Sequence, residues 1–314
     1  MVKIESKDYY VKISEEEILR CSLRGKFKKE FNLKKDKLLT LDFASLGDWV
    51  EITKISTEIG VIEFIYDRNN YLSRKAGKLR GGLKRGKRLE QIIASNIDKL
   101  YIVSSIKLPA FNNRFIDRVI VAAESSNLDI AIVINKIDLD DDYNNSILWE
   151  QFYKTLGYNV FRVSAKSGES IPELKNDLEG NVNLFWGQSG VGKSSLLNSM
   201  FSALNFKVGE ISNYSKKGQH TTVTGEIQKV SENTYIVDTP GIREIDPYGI
   251  TKADLAHYFR EFKAELNKCK FSTCIHDHEP GCAVIDAVEK GSISIERYQS
   301  YLNILNTIED DMFY

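Results

Sequence analysis

Over residues 1 to about 66 the chain alternates short β-rich runs with polar turns: YYVKIS, EILRCSLRG, KLLTLD, DWVEITKI and GVIEFIY. In DWVEITKI, Val50, Ile52 and Ile55 mix with Glu51, Thr53 and Lys54, the pattern of a strand with one buried and one wet face. Five such strands in roughly 65 residues suit a small β-barrel, with an antiparallel sandwich as the competing arrangement. From about residue 95 the texture changes. Strands that are apolar throughout (KLYIVSSI, DIAIVINKID, YNVFRVSAKSG, VNLFWGQSG, TYIVDTPG) are separated by amphipathic stretches such as RFIDRVIVAAESS, ILWEQFYKTLG, PELKNDL and KSSLLNSMFSAL. Apolar strands punctuated by helices predict a mostly parallel α/β sheet covered on both faces, whose ligands sit at the carboxyl ends of strands. The last region, from about 250, predicts helices in TKADLAHYFREFKAELNK and SIERYQSYLNILNTIEDD, on either side of a short cysteine-bearing loop.

Between the first two regions lies a basic stretch. Arg68, Arg74, Lys75, Lys78, Arg80, Lys84, Arg85, Lys87 and Arg88 stand among glycines with almost no acid, and Tyr71 adds an aromatic face. It reads as a linker, either a solvated tether or flexible cations suited to a phosphate backbone. Composition does not decide between these: 43 Lys plus Arg against 44 Asp plus Glu give a net charge of −1, so no global basic field marks a nucleic-acid binder. A length of 314 residues with 42% apolar content allows two or three domains. The N-terminus lacks the apolar core of a signal peptide and no long apolar run occurs, so a cytoplasmic protein with no membrane partner is expected.

Candidate chemistry concentrates at the strand ends. Gly187, Gln188, Ser189, Gly190, Val191, Gly192, Lys193 and Ser194 fit GxxxxGK[ST] between a predicted strand and a helix that continues through Ser195. Backbone amides of such a turn surround phosphates because no side chain crowds their approach. Lys193 is expected to reach the outer phosphates and Ser194 to ligate Mg2+. Asp238-Thr-Pro-Gly241 ends a later strand, where Asp238 can hold a metal-bound water and the Gly241 amide can sense the terminal phosphate. Between them, a polar loop offers Thr221 and Thr222, of which Thr222 is the preferred second magnesium ligand.

Asn135, Lys136 and Asp138 close the strand IAIVIN, where the Asp138 carboxylate can accept both hydrogens of the guanine N1 and exocyclic amine. Ser164, Ala165 and Lys166, ending the next strand, fit the loop that closes over a base. The base motif therefore precedes the phosphate loop, the reverse of the usual order. One parallel sheet can still assemble both, with the chain cut at a different loop.

Near the C-terminus, Cys269, Cys274, His276 and Cys282 lie within fourteen residues, a soft ligand set suited to one tetrahedral structural Zn2+. His278 rivals His276, and Cys21 reads as packing.

The order NKxD, SAK, GxxxxGKS, DTPG and CxxxxCxHxxxxxC, after a β-rich domain, closely resembles the circularly permuted, small-ribosomal-subunit-dependent GTPases of the RsgA or YjeQ family. GDWV, NYLSRK, IASNIDKLYIVSS and GQHTT resemble it as well. The resemblance implies a multidomain chain: an OB-fold barrel that touches rRNA, with the basic linker, over 1–90; a permuted P-loop GTPase domain over 91–246; and a helical zinc-binding domain over 247–314. It implies GTP/GDP, Mg2+ and Zn2+ as ligands, the small ribosomal subunit as partner of a monomeric protein, and a role in late subunit maturation. It also selects His276 over His278. Where Ras-like proteins carry a water-orienting Gln after DxxG, this chain has Ile242, which predicts slow intrinsic hydrolysis. His220, in GQHTT, is the candidate to supply the missing catalytic group. A GTP-clamped RNA-binding assembly factor with negligible turnover of its own is the competing expectation.

Overall fold

The structure, a computed structural model, describes residues 1–5, 8–25, 27, 43–75, 90–141, 144–202, 225–238 and 245–308. The apolar strands of the second half form a parallel block: β8 (Lys99–Ser105), β9 (Asp129–Asn135), β10 (Asn159–Arg162), β11 (Val182–Gly187) and β13 (Thr234–Asp238), in spatial order β10-β9-β8-β11-β13. Alternate residues of each strand supply the two faces. Leu100, Ile102, Ile132, Ile134 and Trp186 pack under α1 (Asn113–Glu124), against Ile116, Val119 and Ile120. Tyr101, Val103, Val133 and Phe185 pack on the other side with Leu174 of α3 (Ile171–Asp177) and Leu196 and Leu197 of α4 (Lys193–Met200). A strand buried on both faces has no wet positions, which is why these segments show no polar alternation. The remaining helix of the block, α2 (Asn144–Thr155), sits before β10. α1 starts where Asn112 offers its side-chain oxygen to the Phe115 amide at 3.0 Å.

The N-terminal strands extend the same sheet. β12 (Gly225–Ser231) pairs antiparallel with both β13 and β1 (Lys3–Glu5), after which β2 (Asp8–Lys12), β3 (Ile18–Leu23), β5 (Ile59–Ile65) and β4 (Val50–Lys54) follow, giving 11 strands. These strands enclose their own small core of Val11, Leu19, Cys21, Ala44 and Ile62, so Cys21 is packing as expected. The strand expected in KLLTLD lies outside the described residues.

The basic stretch is not wholly a linker. Part of it is β6 (Tyr71–Lys75), paired antiparallel with β7 (Glu90–Ser95), and the side chains of Arg68 and Arg74 have structural partners. Arg68 binds the fully buried Asp48 at 2.7 and 2.8 Å and the Phe43 carbonyl at 2.9 Å. Asp48 also accepts from the Ser95 hydroxyl at 2.6 Å and the Ser45 amide at 2.7 Å. GDWV and the Arg68 segment thus form one buried polar knot that joins the N-terminal strands to β7. Arg74 bonds Gln91, and the Lys75 amide reaches the Asp246 carbonyl. The cations at 78, 80, 84, 85, 87 and 88 lie outside the described residues.

The C-terminal region departs from expectation. TKADLAHYFREFKAELNK is no continuous helix but a series of 3-10 turns at Leu255–Tyr258, Arg260–Phe262 and Leu266–Lys268, followed by α5 (Ala283–Glu289) and α6 (Ile295–Leu305). Phe259, Phe262 and Tyr301 cluster with ring centroids 5.0 to 5.3 Å apart, and tight turns bring both phenylalanines to the same centre. This core reaches Val121 of α1. Beside it Arg297 of α6, wholly buried, donates to Asp117 of α1 at 2.6 Å and to Glu261 at 2.6 Å, and Tyr153 donates to the same Asp117 oxygen at 3.0 Å. Burial opposes the charge on Arg297, but Asp117 and Glu261 outweigh it and raise its pKa. No helix among the described residues is long and apolar enough to cross a membrane.

Candidate nucleotide site and metal centre

The base motif and the phosphate loop end strands on either side of β8: β9 pairs with β8 and β8 with β11. NKID therefore does not lie directly beside the phosphate-loop strand; two strand spacings, about 10 Å, separate them. That gap is bridged by side chains. Asn135, 1% exposed, donates its amide to the Val191 carbonyl at 2.9 Å and accepts the Ala165 amide at 3.2 Å. One side chain thereby ties the ends of β9, β10 and β11 together, a stapling role that its place in NKxD does not reveal.

Lys136, in a left-handed conformation (φ 62°), lays its ammonium on the Gly190 carbonyl at 2.6 Å and on the Leu108 carbonyl, and burial lowers its pKa despite Asp138. Asp138 accepts the Ser164 hydroxyl at 2.6 Å, while the Ser167 amide donates to that hydroxyl at 3.0 Å. The carboxylate expected to meet guanine is thus oriented by the loop expected to cover it. Lys166 is exposed at the rim.

The phosphate loop meets its geometric requirements. Gly192 has φ +93°, and a Cβ there would stand 2.5 Å from the Asn135 amide nitrogen; at Gly187 a Cβ would stand 2.3 Å from the Val103 carbonyl oxygen of β8. Only glycine permits both approaches. α4 begins at Lys193, whose ammonium rests on the Gly187 and Gln188 carbonyls at 2.5 and 3.1 Å. Ser194, the magnesium candidate, is the second residue of α4 and half-buried; Ser189, Gly190 and Ser195 are exposed. Asn112, which the sequence reading did not single out, reaches Gln188 at 3.4 Å while capping α1, and the only sequence signal for it was a helix-capping residue type before an apolar stretch. Asp238 ends β13 as expected. His220, Thr221, Thr222, Gly241 and Ile242 lie outside the described residues, as does the side chain of Asp238.

The metal candidates converge. His276 Nδ1 stands 3.5, 3.4 and 3.3 Å from the sulfurs of Cys269, Cys274 and Cys282, the Cys269 and Cys282 sulfurs are 4.0 Å apart, and all four donor atoms lie within 4.8 Å of one another. Zn–S and Zn–N bonds of about 2.3 and 2.0 Å imply tetrahedral edges of roughly 3.5 to 3.8 Å, so the donor set fits one zinc ion. His278 is 81% exposed on its side chain and pairs with Asp277, which removes it as the rival ligand. Burial raises the Cys274 thiol to about 12 and lowers the His276 pKa. Next to it, burial opposes the charge on Glu279, but the amides of Ile275, Asp277 and His278 outweigh it and hold this carboxyl at about 2.

A family model described as RsgA GTPase matches residues 65–248. Among curated proteins, the chain is 35% identical to small ribosomal subunit biogenesis GTPase RsgA 2 of Bacteroides thetaiotaomicron, over 100% of this chain and 97% of that one. It is 40% identical to small ribosomal subunit biogenesis GTPase RsgA of Chlorobaculum parvum, over 86% of each. Among solved structures it superposes on YjeQ from Thermotoga maritima with a TM-score of 0.72 at 34% identity, covering 97% of this chain and 95% of the other. It matches YloQ, described as a circularly permuted GTPase, with a TM-score of 0.67 at 26% identity, covering 100% and 95%.

Proposed function

Since the chain belongs to the RsgA GTPase family, we infer that it is a GTP hydrolase whose turnover serves biogenesis of the small ribosomal subunit. The observation that carries this reading is the convergence on Asn135 of backbone from both the Ala165 loop and the phosphate loop, which is what a site for a base joined to phosphates requires.

In this reading Asp138 reads guanine, with Asn135 and the Ser164, Ala165 and Lys166 loop shaping the base pocket. The amides of Gly187 through Gly192 hold the phosphates, Lys193 moves from its two carbonyls onto the outer phosphates, and Ser194, Ser195 and Thr222, with Thr221 beside it, complete the phosphate and magnesium contacts. A magnesium ion held by these residues would supply neutralisation of the phosphate charge. Asp238 would hold a magnesium-bound water, the Gly241 amide senses the terminal phosphate, and His220 orients the attacking water in place of the group that Ile242 does not supply. Cys269, Cys274, His276 and Cys282 hold one structural zinc, which ties the turn-rich C-terminal unit together.

The functional division is 1–90 for rRNA contact, 91–246 for the nucleotide and 247–314 for the metal, in a cytoplasmic monomer. The rRNA assignment is supported by Trp49, Phe64 and Tyr66, exposed by 68, 49 and 52% near one another on β4 and β5, as stacking faces for bases. GTP hydrolysis measured with and without small ribosomal subunits tests the reading: a strong rise with subunits, abolished in Lys193→Ala, is expected. Ile242 favours a second reading, a GTP-held assembly clamp. Stimulation of no more than a few-fold, with subunit binding intact, selects the clamp.

A further inference from the structure

The metal-binding loop is held at the backbone by groups that are not ligands. One oxygen of Glu279 accepts the Ile275 amide at 2.8 Å, and the other accepts the Asp277 and His278 amides at 3.0 and 3.2 Å. On the opposite polarity, Tyr301 donates to the Ile275 carbonyl at 2.6 Å, and Tyr298 donates to the His276 and Asp277 carbonyls at 2.9 and 3.2 Å. Both tyrosines belong to α6. The backbone between Cys274 and Glu279 is therefore gripped on its N–H side by one carboxylate and on its C=O side by one helix face.

This grip accounts for the conformation of His276. Turning the amides on either side of it toward one carboxylate leaves residue 276 in the left-handed region, φ 58°, which L side chains rarely adopt. In that conformation its Nδ1 meets all three sulfurs, and His278, two residues on, is turned to solvent. Both Glu279 oxygens are committed to amides, and Glu279 does not belong to the converging donor set. We propose that Glu279 is the positioning residue of the metal centre: by gathering the 275, 277 and 278 amides it presents His276 as the fourth ligand and keeps His278 out. The proposal rests on the reading of Cys269, Cys274, His276 and Cys282 as a metal site.

The test is Zn2+ affinity of the full-length protein, measured by competition with a chromophoric chelator, with Co2+ absorption to report the ligand set. Glu279→Gln, Glu279→Ala, His276→Ala and His278→Ala are compared with wild type, and guanine-nucleotide binding checks that each remains folded. Wild type and His278→Ala are expected to bind one equivalent with equal affinity, and His276→Ala to lose the tetrahedral Co2+ signature. Both Glu279 variants are expected to bind about 10- to 100-fold more weakly, the usual effect of removing a group that orients a ligand. Should Glu279→Ala fail to fold, the near-isosteric Glu279→Gln decides. Affinities within two-fold of a tight-binding wild type overturn the proposal and leave the metal site standing. A wild type that binds no zinc overturns both.

Discussion

The nucleotide site and the metal centre are built in opposite ways. The candidate metal site draws its four donors from fourteen consecutive positions, in a loop whose amides donate to the Glu279 carboxylate. The nucleotide site draws on the ends of β9, β10 and β11, separated by dozens of residues, and depends on a sheet to bring them within reach of Asn135. A locally encoded site tolerates little change in its own loop. A site encoded by sheet order tolerates cutting and rejoining of the chain, provided the strand order survives, which is what a permuted motif order requires. The two meet at α1. Its start touches the phosphate loop through Asn112, and its middle holds α6 through Asp117 and Arg297.

The sharpest way to break the comparison is to cut that connection. Asp117→Ala leaves Arg297 buried with only Glu261 for charge, and the chain is expected to lose about 3 to 5 kcal/mol of stability, read by urea denaturation. A loss below 1 kcal/mol would mean that the two regions are not joined there. Next in size, Lys193→Ala is expected to lower GTP turnover by about 100- to 1,000-fold while zinc stoichiometry stays at one, because the two sites share no residue. Asp138→Asn is expected to weaken guanine-nucleotide binding by about 10- to 100-fold, the effect of losing a charged partner for two donors, and to narrow the preference for guanine over adenine in a competition assay. The smallest effect expected is from Asn135→Ala, about 1 to 2 kcal/mol in nucleotide affinity, because the staple is lost while the guanine-reading carboxylate remains. Were Asn135→Ala to cost more than Asp138→Asn, the ranking of reader over staple would reverse.

Legibility in the sequence followed range. GQSGVGKSS was readable as a phosphate loop because a tight glycine turn before a helix is a local requirement, and the glycine positions at 187 and 192 are explained by close contacts. The candidate metal donors were readable for the same reason, although the choice between His276 and His278 rested on resemblance until the loop conformation was seen. What escaped was set by distant partners. Arg68 read as a free cation because its mate Asp48 lies twenty residues earlier in another element. TKADLAHYFREFKAELNK had helical periodicity, but Phe259 and Phe262 gain more by meeting Tyr301 through tight turns than by lying along one helix face.

By itself, then, the sequence determined which candidate chemistry to look for: a glycine-rich phosphate-loop pattern, a carboxylate in NKxD and a soft Cys and His donor set, each encoded in fewer than fifteen consecutive residues whose backbone and side-chain demands are local. Only the tertiary structure decided how these parts are joined. It set β8 between the two halves of the nucleotide site, made Asn135 a staple and buried Arg297 against Asp117. The reason is physical: strand order and buried ion pairs are fixed by packing between segments far apart in the chain, and no local pattern of residues carries that information.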